Sequence, residues 1–222
     1  MPAGVGTATS SNSSSVRAYA LGLGYGGLIM IFFGLAWWGI ASQGIADSNL
    51  LLYWGIIYVF ALALLALTIV FMIGARRLPR DTSPEAAARG RVIGRRLGIQ
   101  FGIIFGLEII IAVAVNVVLN IINHPEFFFP LLAIIVGAHF LPLAPIFQVR
   151  IYYATGILLC LVGLFVLLAT PSTAMMNGAR LWDVLPGFLS APILWLTALY
   201  DLVESRRVVL QARKALPASA TR

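Results

Sequence analysis

Two ionisable side chains lie deep inside apolar segments of this sequence, and their types and spacing are suited to chemistry. Glu108 follows Arg96 by 12 residues, and His139 precedes Arg150 by 11 residues. At a helical rise of about 1.5 Å per residue, they lie about 18 Å and about 16 Å from those arginines. A carboxyl beside an imidazole could bind a proton or a polar solute, because histidine titrates near neutral pH. The matched depth therefore predicts a polar site inside the membrane.

Glu108 is the only acidic residue that we predict to lie deep in an apolar segment. A bare carboxylate there is costly, so this side chain must be protonated, paired or hydrated. It indicates either a functional site shared with His139 or a protonated acid that only bonds a neighbouring helix. Both interpretations stay open, because depth does not define rotation about a helix axis. Zinc takes three or four ligands, so we predict no metal site, and no cofactor or catalytic set is indicated either.

Small and amide residues recur along the segment that contains Glu108. Glycines occur every four residues, at Gly94, Gly98, Gly102 and Gly106. This spacing lets helix backbones approach closely. Asn116 and Asn120 project onto the same face at about 100° per residue. The stripe predicts a packing interface whose amides bond across helices; the alternative is a polar path open to the outer side.

Three prolines are predicted to kink two helices. Pro142 and Pro145 follow His139 closely, and Pro192 lies in the last apolar segment. Each proline removes one helical hydrogen bond and frees a carbonyl group. Free carbonyls near the histidine could border a polar cavity. The alternative is an ordinary kink whose carbonyls are satisfied by water or by a neighbouring helix.

A short run around the histidine has a distinctive order. It is Gly137-Ala138-His139-Phe140-Leu141-Pro142-Leu143-Ala144, followed by Phe147 and by Ile151-Tyr152-Tyr153-Ala154-Thr155-Gly156. This run resembles a segment in a group of small bacterial multi-pass membrane proteins whose activity is unknown. The resemblance implies a bacterial inner membrane as the location, and it implies no role for any residue.

The elements that must position these side chains follow from composition and segment length. Of the 222 residues, 60% are hydrophobic and 10% are charged, which is too little charge to cover a water-soluble surface. Crossing a bilayer takes about 20 apolar residues in a helix. Six segments meet that length: Tyr19–Ala41, Leu51–Ile73, Leu97–Ile122, Phe127–Phe147, Ile151–Thr170 and Leu185–Val203. We therefore predict an all-α transmembrane bundle of six helices, because lipid cannot satisfy an open backbone.

The distribution of basic residues predicts the orientation of the bundle. With the N-terminus inside, 14 of the 15 Lys and Arg residues lie in inner segments, and only Arg180 lies in an outer loop. Cytoplasmic loops carry such an excess, so we predict that both termini are cytoplasmic. Attraction to anionic lipid headgroups accounts for the rest of the positive charge. The net charge of +7 is therefore no sign of a nucleic-acid partner.

The remaining segments complete the predicted organisation. Residues 1–16 are expected to form a disordered tail, residues 17–205 the transmembrane domain, and residues 206–222 a basic cytosolic tail. A basic cytosolic loop is expected over residues 74–96. Within it, the run Ser83-Pro84-Glu85 is typical of a helix start and predicts a short cytosolic helix before the third span.

Three functions are compatible with these features. The first is a small-solute or proton-linked transporter that uses Glu108 and His139 at the bilayer midplane. The second is a non-catalytic membrane assembly or lipid-organising protein that forms a homo-oligomer through the glycine stripe. An intramembrane lipid-modifying enzyme has the least support, because it would need a nucleophile or a metal set. We therefore expect a membrane protein that is not an enzyme.

Overall fold

Six long helices account for most of the chain in the computed structural model, which describes residues 6–45, 47–78 and 83–215. The helices are α1 (Gly6–Ala41), α2 (Asp47–Arg76), α3 (Pro84–Ile121), α4 (Phe128–Phe147), α5 (Ile151–Ala169) and α6 (Leu181–Ala215). Each is long and apolar enough to cross a membrane. The predicted all-α bundle of six spans is confirmed.

Short elements connect some of the helices. They are two 3-10 turns and two antiparallel strands: Ser42–Gly44, Pro125–Phe127, β1 (Met175–Met176) and β2 (Ala179–Arg180). Asn177 and Gly178 join the strands with φ values of 48° and 85°. Asparagine and glycine are the residues that adopt this left-handed region most readily. The hairpin thus makes up the last six of the eleven residues that link α5 to α6.

The helices differ strongly in how much of their surface is buried. The most extensive pairing joins α1 to α6, and α4 packs closely on α5. α2 packs on α1 and α6, whereas α3 packs mainly on α4. In its most apolar stretch α3 has 6% of its residues buried, against 56% for α6. α3 is therefore a peripheral helix held to the bundle largely by one neighbour.

The helix α1 begins earlier than the sequence predicted. Its backbone is helical from Gly6, so the expected disordered tail over residues 1–16 is corrected for residues 6–16. Residues 1–5 lie outside the described residues. Extending an existing helix avoids the cost of nucleation, since each added residue brings one further hydrogen bond. No proline interrupts residues 6–16, so the first span can lengthen toward the N-terminus.

The basic loop and the C-terminal tail are also more helical than predicted. The helix start at Pro84 is confirmed, but the separate short helix is wrong, because α3 continues from there as one helix. α2 ends at Arg76, so the connection is shorter than the predicted loop over residues 74–96. The tail over residues 206–222 is helical as far as Ala215. Its last seven residues lie outside the described part of the chain.

Close helix packing depends on glycines of α4 and α5 rather than on those of α3. A Cβ atom on Gly137 would lie 2.6 Å from the carbonyl oxygen of Gly156, and one on Gly163 would overlap the carbonyl oxygen of Pro130. A Cβ atom on any of the α3 stripe glycines would meet nothing within 4 Å: Gly94, Gly98, Gly102 and Gly106. No other helix of the described chain therefore packs on these four glycines, and contact through the stripe between copies of the protein stays a prediction.

Candidate functional site

A cavity of about 590 Å³ separates α1 from α3 and is closed on a third side by α4. Its wall comes from residues 18–33 of α1, 93–108 of α3 and 136–147 of α4, with Tyr152 of α5 and Leu194 of α6 completing it. It therefore occupies one half of the bundle, at the end where the α2–α3 and α4–α5 connections lie; we call this the basic end. The volume falls within the range of small-molecule sites, about 300–1,000 Å³.

Glu108 and His139 meet at the deep end of this cavity. The Nδ1 atom of His139 lies 3.4 Å from Oε2 of Glu108. The side chain of His139 is 12% exposed and that of Glu108 is 10% exposed, so both are removed from solvent except through the cavity. The two residues that the sequence placed at equal depth are thus brought together by the pairing of α3 with α4.

The imidazole of His139 makes its shortest polar contact with the backbone. Its Nδ1 atom lies 2.9 Å from the carbonyl oxygen of Val136. A carbonyl oxygen only accepts, so the proton must be on Nδ1, and Nε2 is an acceptor in the neutral ring. Oε2 of Glu108 is close to the same Nδ1 but has no hydrogen-bond partner in the described chain. The pair therefore includes a buried carboxyl group that can take up a proton at Oε2 and that borders the cavity.

Aromatic rings from three helices form a continuous wall along the cavity. Phe33 of α1 contacts Phe105 of α3 with ring centroids 6.2 Å apart. Phe105 stacks on Phe101 at 5.7 Å, and Phe101 contacts Phe147 of α4 at 6.1 Å. All four rings line the cavity. The site thus combines a largely apolar body with one carboxyl–imidazole pair at its end.

A second buried carboxyl lies behind the opposite wall, and it corrects the prediction that Glu108 is the only deep acid. Asp201 of α6 is fully buried, and the hydroxyl of Tyr152 donates to its Oδ2 at 3.1 Å. Tyr152 also lines the cavity. A Cβ atom on Gly26 would overlap the tyrosine hydroxyl and lie 3.2 Å from the same Oδ2. A glycine at this position of α1 therefore makes room for the pair.

Sequence analysis missed Asp201 because of where the sixth predicted span ended. The predicted sixth span ended at Val203, which placed this acid at the membrane boundary. The signal was a polar stripe, since Thr197 and Ser205 lie four residues before and after it on one helix face. Both are buried; Thr197 bonds Thr155 at 2.7 Å, and Ser205 donates to a backbone carbonyl of α1. Four-residue spacing of small polar side chains could have identified this face.

Asn116 and Asn120 are not part of the cavity, whereas Gly98 of the glycine stripe borders it. Asn120 donates through Nδ2 to the backbone carbonyl oxygen and to Oδ1 of Asn116, at 2.8 and 3.0 Å. Both amides are exposed and bond along α3 rather than across helices. The structure therefore separates them from Glu108 and His139, and the predicted cross-helix bonding is wrong for this pair.

The prolines are accommodated within continuous helices. α4 continues through Pro142 and Pro145, and α6 continues through Pro192. The side chains of Pro142 and Pro145 are exposed, whereas Leu143 and Phe147 on the inner face of α4 line the cavity. On α4 the cavity is thus lined by residues before, between and after the two prolines, and not by the prolines themselves. Kinks at these positions stay a prediction.

Comparison with known proteins adds a partial match. The model of a family of unknown function (DUF7010) matches residues 95–198, or 104 of the 222 residues. That stretch contains Glu108, His139 and Tyr152, and it ends before Asp201. No curated protein and no solved structure matches the chain. Among the described residues, no three His, Cys, Asp or Glu side chains lie close enough together to hold a metal ion.

Proposed function

We propose that the protein is a proton-linked transporter of a small solute that binds in the cavity beside α3. The observation that supports this proposal is Oε2 of Glu108, a buried carboxyl oxygen at the end of the cavity with no hydrogen-bond partner. An ionisable group inside a membrane segment is costly to keep, and such groups mark solute and proton pathways. A carboxyl in this position can take up a proton, or it can pair as a carboxylate with a positively charged group of a solute, and these two states exclude each other.

The arrangement of helices offers a way to change access to this carboxyl. α3 forms one wall of the cavity and packs mainly on α4. Its inner half carries long exposed side chains such as Val92 and Ile103, which are 68% and 63% exposed. A helix with few buried contacts moves at low cost. In this proposal α3 tilts against α4 and opens or closes the cavity while His139 stays bonded to the backbone of its own helix.

Glu108→Gln is expected to reduce solute-driven proton movement by about tenfold or more, because the amide cannot bind and release a proton. The full chain is reconstituted in liposomes that contain a pH-sensitive dye. Solutes are then added in four classes: organic cations, zwitterions, organic anions and neutral sugars. The wild-type protein is expected to change the internal pH with one of these classes.

A second variant tests whether removing a carboxyl group elsewhere in the protein also reduces proton movement. Glu126→Gln removes a carboxyl from the exposed turn at the other end of α4 and is expected to leave proton movement unchanged. The proposal fails if wild-type protein moves no protons with any class, or if Glu108→Gln is as active as wild type.

We also propose a bacterial inner membrane location with both termini in the cytoplasm. The distribution of Lys and Arg supports the placement of the termini, since only Arg180 lies in a connection at the end opposite the basic end. In a Cys160→Ser background, a membrane-impermeant maleimide is expected to label Ser172→Cys on intact cells. It is expected to label Ala218→Cys only after the cells are permeabilised. The reverse labelling pattern would contradict the proposed topology and would indicate the opposite orientation.

A further inference from the structure

We propose that the solute of this cavity is an organic monovalent cation that carries aromatic or other bulky apolar groups. This inference rests on the proposed function, because it names the class of solute for the same site. Three observations carry it: the charge of the wall, the chemistry of its rings and the size of the enclosed space.

The charge balance of the wall favours a cation. The described residues that line the cavity include Glu108 but no lysine and no arginine. His139 in its neutral form directs its only N–H to the carbonyl oxygen of Val136. It therefore leaves the carboxylate charge uncompensated. A positive solute group in the cavity supplies the counter-charge that the Glu108 carboxylate lacks, whereas an anion would meet like charge in a poorly screened environment.

The aromatic wall favours the same charge. Phe33, Phe101 and Phe105 follow one another along the cavity with ring contacts of 5.7 to 6.2 Å, and Tyr25 lines the side contributed by α1. The faces of such rings attract cations, and most strongly where water is excluded. Rings in the wall are therefore suited to a positive charge that is spread over an organic group.

The size and lining of the cavity favour an organic cation over a small inorganic cation. A volume of about 590 Å³ suits a molecule with several ring or branched groups. A metal cation would have to give up its hydration shell to a wall that is mostly apolar. The side chains of that wall with oxygen atoms are Glu108, Gln148, Tyr19, Tyr25 and Tyr152. An organic cation with apolar substituents holds little water and replaces it with ring contacts.

Binding of such a cation would release one proton when Glu108 is protonated beforehand. The carboxyl O–H bond breaks, its proton leaves to water, and the carboxylate pairs with the cation, so the charge in the cavity is unchanged. The other titratable groups of the wall are His139, Tyr19, Tyr25 and Tyr152. Behind the wall, Asp201 accepts from Tyr152, and Arg76 donates to the hydroxyl of Tyr25 at 3.5 Å. This one-for-one exchange connects the solute class to the proposed proton link.

Tetraphenylphosphonium and tetraphenylborate test this inference because they have the same shape and opposite charge. Binding of each to the purified full chain in detergent is measured by calorimetry. Wild-type protein is expected to bind the phosphonium, and Glu108→Gln is expected to weaken that binding about tenfold or more. Binding of the borate is expected to be undetectable, or unchanged by the same substitution. Each ligand also partitions into the detergent micelles. This contribution is the same for both variants, so it cancels when the binding of one ligand is compared between them.

Two further variants keep the test decisive if Glu108→Gln fails to fold. Phe105→Leu keeps the apolar wall but removes a ring face, and it is expected to weaken phosphonium binding several-fold. Glu126→Gln removes an acid far from the cavity and is expected to leave binding unchanged. The inference is overturned if the borate binds in a Glu108-dependent manner, or if folded Glu108→Gln and Phe105→Leu both bind the phosphonium as wild type does.

This test separates the solute class from the transport function. Glu108-dependent phosphonium binding without proton movement in liposomes would support the ligand class and contradict transport. Glu108-dependent proton movement with a sugar or an organic anion, without phosphonium binding, would support transport and overturn the ligand class.

Discussion

Gly156→Ala is expected to destabilise the folded bundle by about 2–3 kcal/mol. The added Cβ atom would lie 2.6 Å from the backbone carbonyl oxygen of Gly137, with Leu141 and Phe140 at 3.0 and 3.1 Å. The nearest atom belongs to the backbone of α4, so no side-chain rotation can relieve the clash, and the two helices must separate. Alanine's better helix propensity, worth about 1 kcal/mol, offsets only part of this cost.

Gly102→Ala is the matched control for this substitution. It makes the same chemical change within a helix, but its Cβ atom would meet nothing within 4 Å. We expect the variant to be as stable as wild type, or more stable by up to about 1 kcal/mol. Unfolding by heat or by SDS in mixed micelles measures both variants. Equal losses at Gly102 and Gly156 would contradict the packing that the structure shows.

Tyr152→Phe is expected to cost about 1–3 kcal/mol of stability, because it leaves a fully buried carboxyl without a donor. The hydroxyl of Tyr152 is the partner of Oδ2 of Asp201, and Oδ1 has none in the described chain. The substitution removes one oxygen atom, leaves the ring in place and opens little space. The loss therefore reports the unsatisfied carboxyl rather than a packing defect.

The neighbouring tyrosine controls for the removal of a hydroxyl. Tyr153 is 45% exposed, so Tyr153→Phe is expected to change the free energy of unfolding by less than about 0.5 kcal/mol. The same SDS or thermal unfolding experiment compares the two variants. If Tyr152→Phe is no less stable than Tyr153→Phe, the buried pair does not contribute to the fold as we infer.

Much of the fold could be predicted from composition and segment length. Six apolar runs predicted six helices, because a span has one viable backbone conformation in lipid. The start of α3 at Pro84 was equally visible, since proline and an early acid suit the first turn. The ends of α1 and α6 were not visible, because small and charged residues outside the bilayer are compatible with either helix or coil. In the structure both ends continue the helix of the adjoining span, from Gly6 in α1 and to Ala215 in α6.

Part of the candidate site could also be predicted. The short link between α3 and α4 makes them antiparallel neighbours, so depth alone placed Glu108 near His139. Depth along a helix follows from residue number, because the rise per residue is constant. The rotation of a helix about its axis does not follow from residue number, because it depends on which face of the helix packs against its neighbours. The contact of 3.4 Å therefore required the tertiary structure.

The sequence by itself determined that this chain crosses a membrane six times, and at what depth its polar residues lie. Only the tertiary structure decided which residues meet. It left the glycines of α3 open, packed Gly137 against Gly156, and buried Asp201 beside Tyr152. The physical reason is that hydropathy and helical rise act along one chain, whereas packing depends on the faces that two helices present to each other. The cavity beside Glu108 exists because α3 faces α4 and stands apart from α1.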